Sequence, residues 1–370
     1  MIPVTASPDR IKDLAAGEVF GTLEERYQKG GFSRAIWERM GEIGMLGMTV
    51  PESYGGSGGT PAELCDAVTE FTRLGRDLGL SLSWITHLAL CVKSIDVFGT
   101  PEQKERYLPL LTSGRWVGAA AVSEPGSGAH PAGIETTAEK GDSGYTLSGK
   151  KIFVTDGPFA DLLVVLASTG GAGEDKKELT AFLVETDVPG FEARTMELGF
   201  LKTAPHGEIH FNGVELGHDA VIAKRGEGHS RISKSAFARE RSLVTAAVPG
   251  LFDAVGKEVA DRYRRKFEGL DLSGTEEDSW IHHLSAIEVY RRVSGDLVEG
   301  AFLDYEHWRS SVGLLIYLGL SYAKWASWMD EFASAKNIDL SFPLDIILND
   351  MKLVLVGGEL LLKEGKKRYM

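Results

Sequence analysis

The stretch YTLSGKKIFVTDGPFADLLVVLAS, residues 145–168, decides how the centre of the chain folds. Apolar and polar residues alternate at its start, Asp156-Gly157-Pro158 breaks the pattern, and a short apolar run follows. That is the texture of two strands joined by a turn. Reading outward, VGAAAV (117–122), LTAFLVE (179–185), FEARTM (191–196) and EIHFNGVEL (208–216) are runs of the same kind, separated by Gly, Asp, Ser or Asn. Together they predict an antiparallel β unit between Trp116 and Gly228.

On either side the period changes to that of helices. Residues 8–48 carry Ile11, Leu14, Val19 and Phe20, then Ile36, Trp37, Met40, Ile43 and Leu46 at helical spacing, and PESYGGSGGT (51–60) ends that pattern as a loop. LSLSWITHLALCVKSIDVF (80–98) is apolar on all sides and reads as a buried helix. Thr100 before Pro101, with Glu102 and Glu105 following, marks a helix start. Beyond Gly228, amphipathic stretches at 234–267 and 278–306 predict a helical bundle. The predicted class is α+β in three parts: a helical domain over 1–116, a β domain over 117–227 and a helical bundle over 228–370.

Composition narrows the function. A net charge of −13 argues against nucleic acid and anionic membrane as main partners. No apolar run approaches the roughly 18 residues of a membrane span, and MIPVTASPDR lacks the basic-then-apolar layout of a signal peptide. Cys65 and Cys91, the only cysteines, are not spaced as metal ligands and read as buried thiols in a reducing, cytoplasmic setting. His87, His282 and His283 have no ligand-like partners and read as packing or surface residues.

The loop AVSEPGSGAHPAG (121–133) is rich in small residues that let backbone N–H groups come close to a ligand. It could cradle a phosphate, present a nucleophilic serine (Ser123 or Ser127), or simply turn the chain.

Three motifs in order resemble the acyl-CoA dehydrogenase family: GMLGMTVPESYGGSGG (44–59), FGTPEQKERYLPLLTSGRWVGAAAVSEPGSG (98–128) and the central hairpin quoted above. The resemblance implies a helical domain, a middle antiparallel β-barrel and a C-terminal four-helix bundle, with FAD as cofactor and a homodimer or homotetramer as assembly. It places Val122, Ser123, Gly128 and Ala129 at the flavin, with Phe153 packing on the ring and Thr155, two residues along the same strand, bonding near its reactive nitrogen. Ala129 and His130 stand where the family has Ser/Thr and Asp. Arg264 and Phe267 match an Arg-x-x-Phe whose arginine reaches a neighbouring subunit's FAD pyrophosphate, a task for a forked cation. A surface arginine would look the same. Gly357 and Gly358 resemble a late double glycine that meets a neighbour's adenosine, with Val354 in place of the usual glutamine.

The family's reaction takes a proton from the carbon beside a thioester carbonyl and passes a hydride from the next carbon to flavin. Its usual glutamate base lies beyond the double glycine, but Glu359 and Glu364 in ELLLKEGKKRYM lack the expected context. Isovaleryl-type members carry the base earlier, just before an arginine. In SAFARERSLVTAAVPGL (235–251) this assigns the base to Glu240, with Arg241 orienting it and holding it ionised, and Phe237 and Ala129 against the substrate. A solvated Glu–Arg pair near a helix start reads equally well. Ala129 and Ala238 remove groups that many members offer the pantetheine arm.

The implied function is α,β-dehydrogenation of an acyl thioester, with electrons passing to an electron-transferring flavoprotein. The acyl carrier is CoA or, in a biosynthetic variant, an acyl carrier protein. A catalytically inactive ligand-binding or regulatory relative is the competing class.

Overall fold

The computed structural model describes residues 6–170, 178–267 and 274–353. Gly357, Gly358, Val354, Glu359 and Glu364 lie outside them. Helices, then strands, then helices follow one another as the sequence predicts, with a middle β-sheet domain between helical regions. By packing, however, the segments group into two compact units. Among the described residues, one takes 30–60 and 82–240, and the other takes 8–29, 61–81 and those from 241 on. The first helical region is therefore shared between them, because its helices bury apolar faces in different places.

In the first unit eight strands form one sheet: β1 (Gly118–Ala121), β2 (Thr137–Lys140), β3 (Gly144–Thr155), β4 (Leu162–Ser168), β5 (Leu179–Glu185), β6 (Phe191–Met196), β7 (His206–Gly217) and β8 (Val221–Ile222). The order is β6-β7-β3-β2-β4-β5-β8, with β1 also paired to β4. Among the described residues, β6 and β8 end the sheet without pairing to each other, where the resemblance implied a barrel. Nor is the sheet wholly antiparallel. β1 runs parallel to β4, Gly118 opposite Leu162, because the loop after Ala121 and the β2–β3 hairpin intervene between them.

Leu147, Val154, Leu163, Val165, Phe182, Val184, Ile209 and Phe211 form the core of this unit. Leu162–Ala167 of β4 is buried throughout, which explains why it reads as a continuous apolar run. The helical run Leu78–Phe98 is long and apolar enough to cross a membrane, contrary to the sequence reading, yet is almost wholly buried inside the protein. Cys65 and Cys91 are free and buried, and burial pushes both thiols up to about 12. The predicted helix at Pro101–Thr112 starts with a full capping box between Thr100 and Gln103.

In the second unit the stretch of Lys234–Phe267 beyond residue 240 packs with Gly274–Leu303, Val312–Ala335 and Pro61–Gly75. Phe252 stacks on Trp325 with centroids 3.9 Å apart, and His283 stacks on Trp328. Pro249 sits inside the first of these helices and has no N–H for the carbonyl of Thr245. That carbonyl instead accepts from Ser294 Oγ at 2.7 Å and Tyr322 Oη at 2.8 Å. At Gly250 a Cβ would lie 2.1 Å from the carbonyl of Thr69, so only glycine allows this approach of helix to helix.

Candidate active site

The small-residue loop after β1 is held by its ends. Glu124 and Gly128 exchange backbone hydrogen bonds of 2.9 and 3.0 Å, and Gly126 and Gly128 take the left-handed conformation that turns the chain between them. Ser127 Oγ donates to the carbonyl of Gly133, so this hydroxyl serves the turn. Ile152 N–H donates to the carbonyl of Ser123 at 2.9 Å, which fixes the loop against β3.

Beneath the loop lies a buried ion pair that the sequence reading did not single out. Glu124 accepts from Lys151 Nζ at 2.6 Å and from the N–H groups of Glu135 and Thr136 at 2.6 and 3.0 Å. Lys151, fully buried, also donates to the carbonyl of Val122. Burial would raise the Glu124 carboxyl, but the hydrogen bonds and the Lys151 charge hold it below its ordinary range. Burial pushes the Lys151 ammonium down to about 8. A signal was present: Lys151 falls on the same side of the alternating run as Leu147, so it points inward and needs an acid.

β3 then breaks its own alternation. The pairing with β7 slips between Lys151 and Val154, and Phe153 takes φ +54°. An aromatic residue there carries strain of about 1–3 kcal/mol. Three residues further on, Asp156 is also left-handed, at φ +56°. The bulge matters because it aims Ile152, Phe153 and Thr155 at one space while Val154 stays in the core. Two residues apart on the strand, Phe153 and Thr155 share a side by alternation, and the slip after Lys151 makes that side the cleft rather than the core.

That space is a cleft of about 140 Å³ in the first unit, lined by Ser123, Phe153 and Thr155 together with Phe237 and Glu240. Thr86, Leu90, Ala120, Val122 and Ile152 complete it. Thr86 and Leu90 come from the buried helical run, where nothing in the sequence sets them apart from other core residues. Phe237 and Glu240 share a face of the helix Lys234–Phe267, three residues apart. Thr155 Oγ1 lies 3.2 Å from His206 Nε2, whose Nδ1 lies 2.8 Å from the carbonyl of Ala204. Burial lowers the His206 pKa, which keeps the ring neutral.

Other predicted site residues lie elsewhere. Ala129 packs with Phe237 against Val122, Ile134, Leu166 and Leu179, beside the cleft rather than lining it. Gly128 is in the loop turn. Arg241 is exposed and does not line the cleft. Arg264, in the second unit, borders a separate cavity of about 530 Å³ and bonds Asp261 at 3.0 Å. Phe267 is exposed and rests on Tyr263. No cluster of metal-ligating side chains occurs among the described residues.

The cleft suits a flat ring with a polar edge. Phe153 presents a half-exposed aromatic side chain on strained backbone, Ala120, Val122 and Leu90 supply apolar lining, and Ser123 and Thr155 add hydroxyl-bearing residues to it.

Comparison with known proteins gives this geometry a context. The description "acyl-CoA dehydrogenase, N-terminal domain" matches residues 6–115, and "acyl-CoA dehydrogenase, middle domain" matches residues 119–214. Mitochondrial isovaleryl-CoA dehydrogenase of Oryza sativa subsp. japonica is 36% identical over 234 residues, which are 63% of this chain and 56% of that protein. The chain thus spans little more than half of that relative's length. An acyl-CoA dehydrogenase of Bacillus subtilis (strain 168) is 31% identical over 260 residues, 70% of this chain and 67% of that protein. The solved structure of butyryl-CoA dehydrogenase from Megasphaera elsdenii has the same fold, with a TM-score of 0.82 at 24% identity, covering 96% of this chain and 95% of that one. Two family domains matched in chain order, and a bacterial member covered over two thirds of its length, lead to one assignment: the chain belongs to the acyl-CoA dehydrogenase family.

Proposed function

We propose that the protein binds FAD and dehydrogenates an acyl thioester between its α and β carbons, with Glu240 as the base. The observation that carries this reading is the placement of Glu240 in the same cleft as Ser123, Phe153 and Thr155. When bound, the flavin supplies a two-electron acceptor for the hydride leaving the β carbon. The chain's own residues do the rest. Phe153 packs on the ring, Ser123 and Thr155 offer hydrogen bonds at its edge, and Phe237 with Leu90 excludes water from the acyl group. Glu240 accepts the proton from the carbon beside the thioester carbonyl, a position where a carboxylate within hydrogen-bond reach is effective.

The electrons pass to an electron-transferring flavoprotein, and the active form is a homo-oligomer in which Arg264 meets a neighbouring copy's cofactor. Membership of a family whose relatives are named acyl-CoA dehydrogenases supports the reaction class.

The test is an absorbance spectrum of the purified protein with added FAD, followed by anaerobic addition of short acyl thioesters. A bound flavin that bleaches supports the reading. A protein that takes up no FAD overturns it, and one that holds FAD without bleaching by acyl thioesters of any length, on CoA or on an acyl carrier protein, belongs to the inactive class.

A further inference from the structure

Thr155 and His206 face each other across β3 and β7, in the register that follows the slip after Lys151. His206 Nδ1 lies 2.8 Å from the carbonyl of Ala204, and His206 Nε2 lies 3.2 Å from Thr155 Oγ1. These are the only hydrogen bonds of the ring and of that hydroxyl among the described residues. The Ala204 carbonyl is itself well placed. Ala204 N–H donates to the carbonyl of Leu201 in a turn, and the next carbonyl, of Pro205, accepts from Asp156 N–H at 2.7 Å.

A carbonyl can only accept, so Nδ1 carries the ring hydrogen. In a neutral imidazole the other nitrogen is then bare and accepts. Among the described residues only the Thr155 hydroxyl is placed to donate to Nε2. Turning that hydrogen into the cleft would set two lone pairs face to face at 3.2 Å and leave a buried ring nitrogen without a donor. The hydroxyl therefore gives its hydrogen to His206 and shows the cleft only lone pairs.

We propose that His206 is a positioning residue that locks the Thr155 hydroxyl as an acceptor toward the cleft, so that the ligand atom beside it must carry hydrogen. Applied to the ring in the function proposed above, on which this step rests, the lock favours the reduced flavin. Hydride from the substrate's β carbon puts hydrogen on a ring nitrogen that is bare in the oxidised flavin, turning it from acceptor to donor.

The surroundings keep His206 neutral. The ring is buried and neither nitrogen meets an acid. Glu208, next on that face of β7, is held by Lys150 and His210, both at 2.7 Å. The Asp156 carboxyl accepts from Ser83 Oγ at 3.0 Å, and Met196, the neighbour on β6, is uncharged. An imidazole with the ordinary value of 6.5 is already mostly neutral near pH 8, and burial lowers this one further.

Nitrogen-15 chemical shifts of the histidines, read near pH 8 with and without FAD, test the lock. The signal is assigned by its loss in His206→Leu and by its shift in Thr155→Val. His206 should show hydrogen on Nδ1 and a bare Nε2, and hydrogen on Nε2 overturns the lock. The flavin midpoint potential tests the consequence. It should fall by about 30 mV in His206→Leu, the two-electron equivalent of a tenfold lost preference, because the freed hydroxyl then donates to the oxidised ring. Thr155→Val removes the acceptor and should lower the potential as well, and adding His206→Leu to it should change nothing further. A potential unmoved by either single change, or a His206→Leu shift that persists without the Thr155 hydroxyl, overturns the redox role. If the protein takes up no FAD, the proposed function fails, while the nitrogen shifts still decide the lock.

Discussion

Lys151 Nζ and Glu124 Oε1 stand 2.6 Å apart with both side chains cut off from solvent. The pair joins β3 to the start of the small-residue loop, and Lys151 also reaches the carbonyl of Val122. It is thus the internal support for Val122 and Ser123 at the cleft. Pairs of this kind add little over a well-packed apolar pair, but losing one partner strands the other charge. Lys151→Met should lower stability by about 3–5 kcal/mol in urea unfolding. Adding Glu124→Gln to it should cost less than the two single changes summed.

The same pair sets an acid limit. The folded state holds the Glu124 carboxyl below its ordinary value of 4.5. Its contribution is complete above that value and disappears as pH falls through the lower folded value. The stability gap between wild type and Lys151→Met should therefore be widest near neutrality and narrow on the acid side of 4.5. A gap unchanged across that range would mean the pair is not ionised in the fold.

Glu240→Gln removes the proposed base while keeping the side chain's size. FAD binding should be unchanged, and the rate of flavin bleaching by an acyl thioester should fall about 10²–10⁴-fold. Stopped-flow absorbance under anaerobic conditions reads both. Bleaching at the wild-type rate would remove Glu240 from the reaction.

At Phe153, strain and function separate. The ring is half exposed, so little burial is lost with it, but the residue's φ of +54° favours glycine. Phe153→Gly should leave thermal stability equal to or above wild type, and Phe153→Ala should not, since alanine keeps the strain. Both should weaken FAD binding by about fivefold, the worth of one aromatic contact of about 1 kcal/mol. Equal stability of the two variants would show that the backbone at 153 is relaxed.

Much of this site is written in local sequence, and the rest depends on distant chain segments. The turn in the 121–133 loop follows from its glycines, and the shared face of Phe237 and Glu240 follows from helical spacing. The aim of Phe153 follows from neither, because strict alternation from the inward-pointing Lys151 would have sent Phe153 into the core and Val154 out of it. A single-residue slip against β7 decides it, and the slip depends on where β7 pairs. Asp156 looks like an ordinary turn residue in Asp-Gly-Pro, until the helix from Ser83 closes over it. The first helical region shows the same limit at larger scale. Its periodicity places Phe20 and Ile36 on apolar faces, but only packing shows that Phe20 joins Leu23, Tyr27 and Ile346 while Ile36 belongs to the other unit.

Pro249 offers a test of the backbone accounting in the second unit. The carbonyl of Thr245 loses its helical donor to the proline and gains two hydroxyls, Ser294 and Tyr322, which also lie 3.3 Å from each other. Either hydroxyl alone satisfies one lone pair, so Ser294→Ala or Tyr322→Phe should each cost about 0.5–1.5 kcal/mol. Removing both leaves a buried carbonyl with no donor, and that group's desolvation adds about 1–3 kcal/mol. The double variant should therefore fall below the sum of the singles, with a coupling that urea unfolding can resolve. In Pro249→Ala the helix regains its own N–H donor, and there the two hydroxyl deletions should become additive. Additivity already in the wild-type background would show that the carbonyl of Thr245 never depended on the side chains that face it.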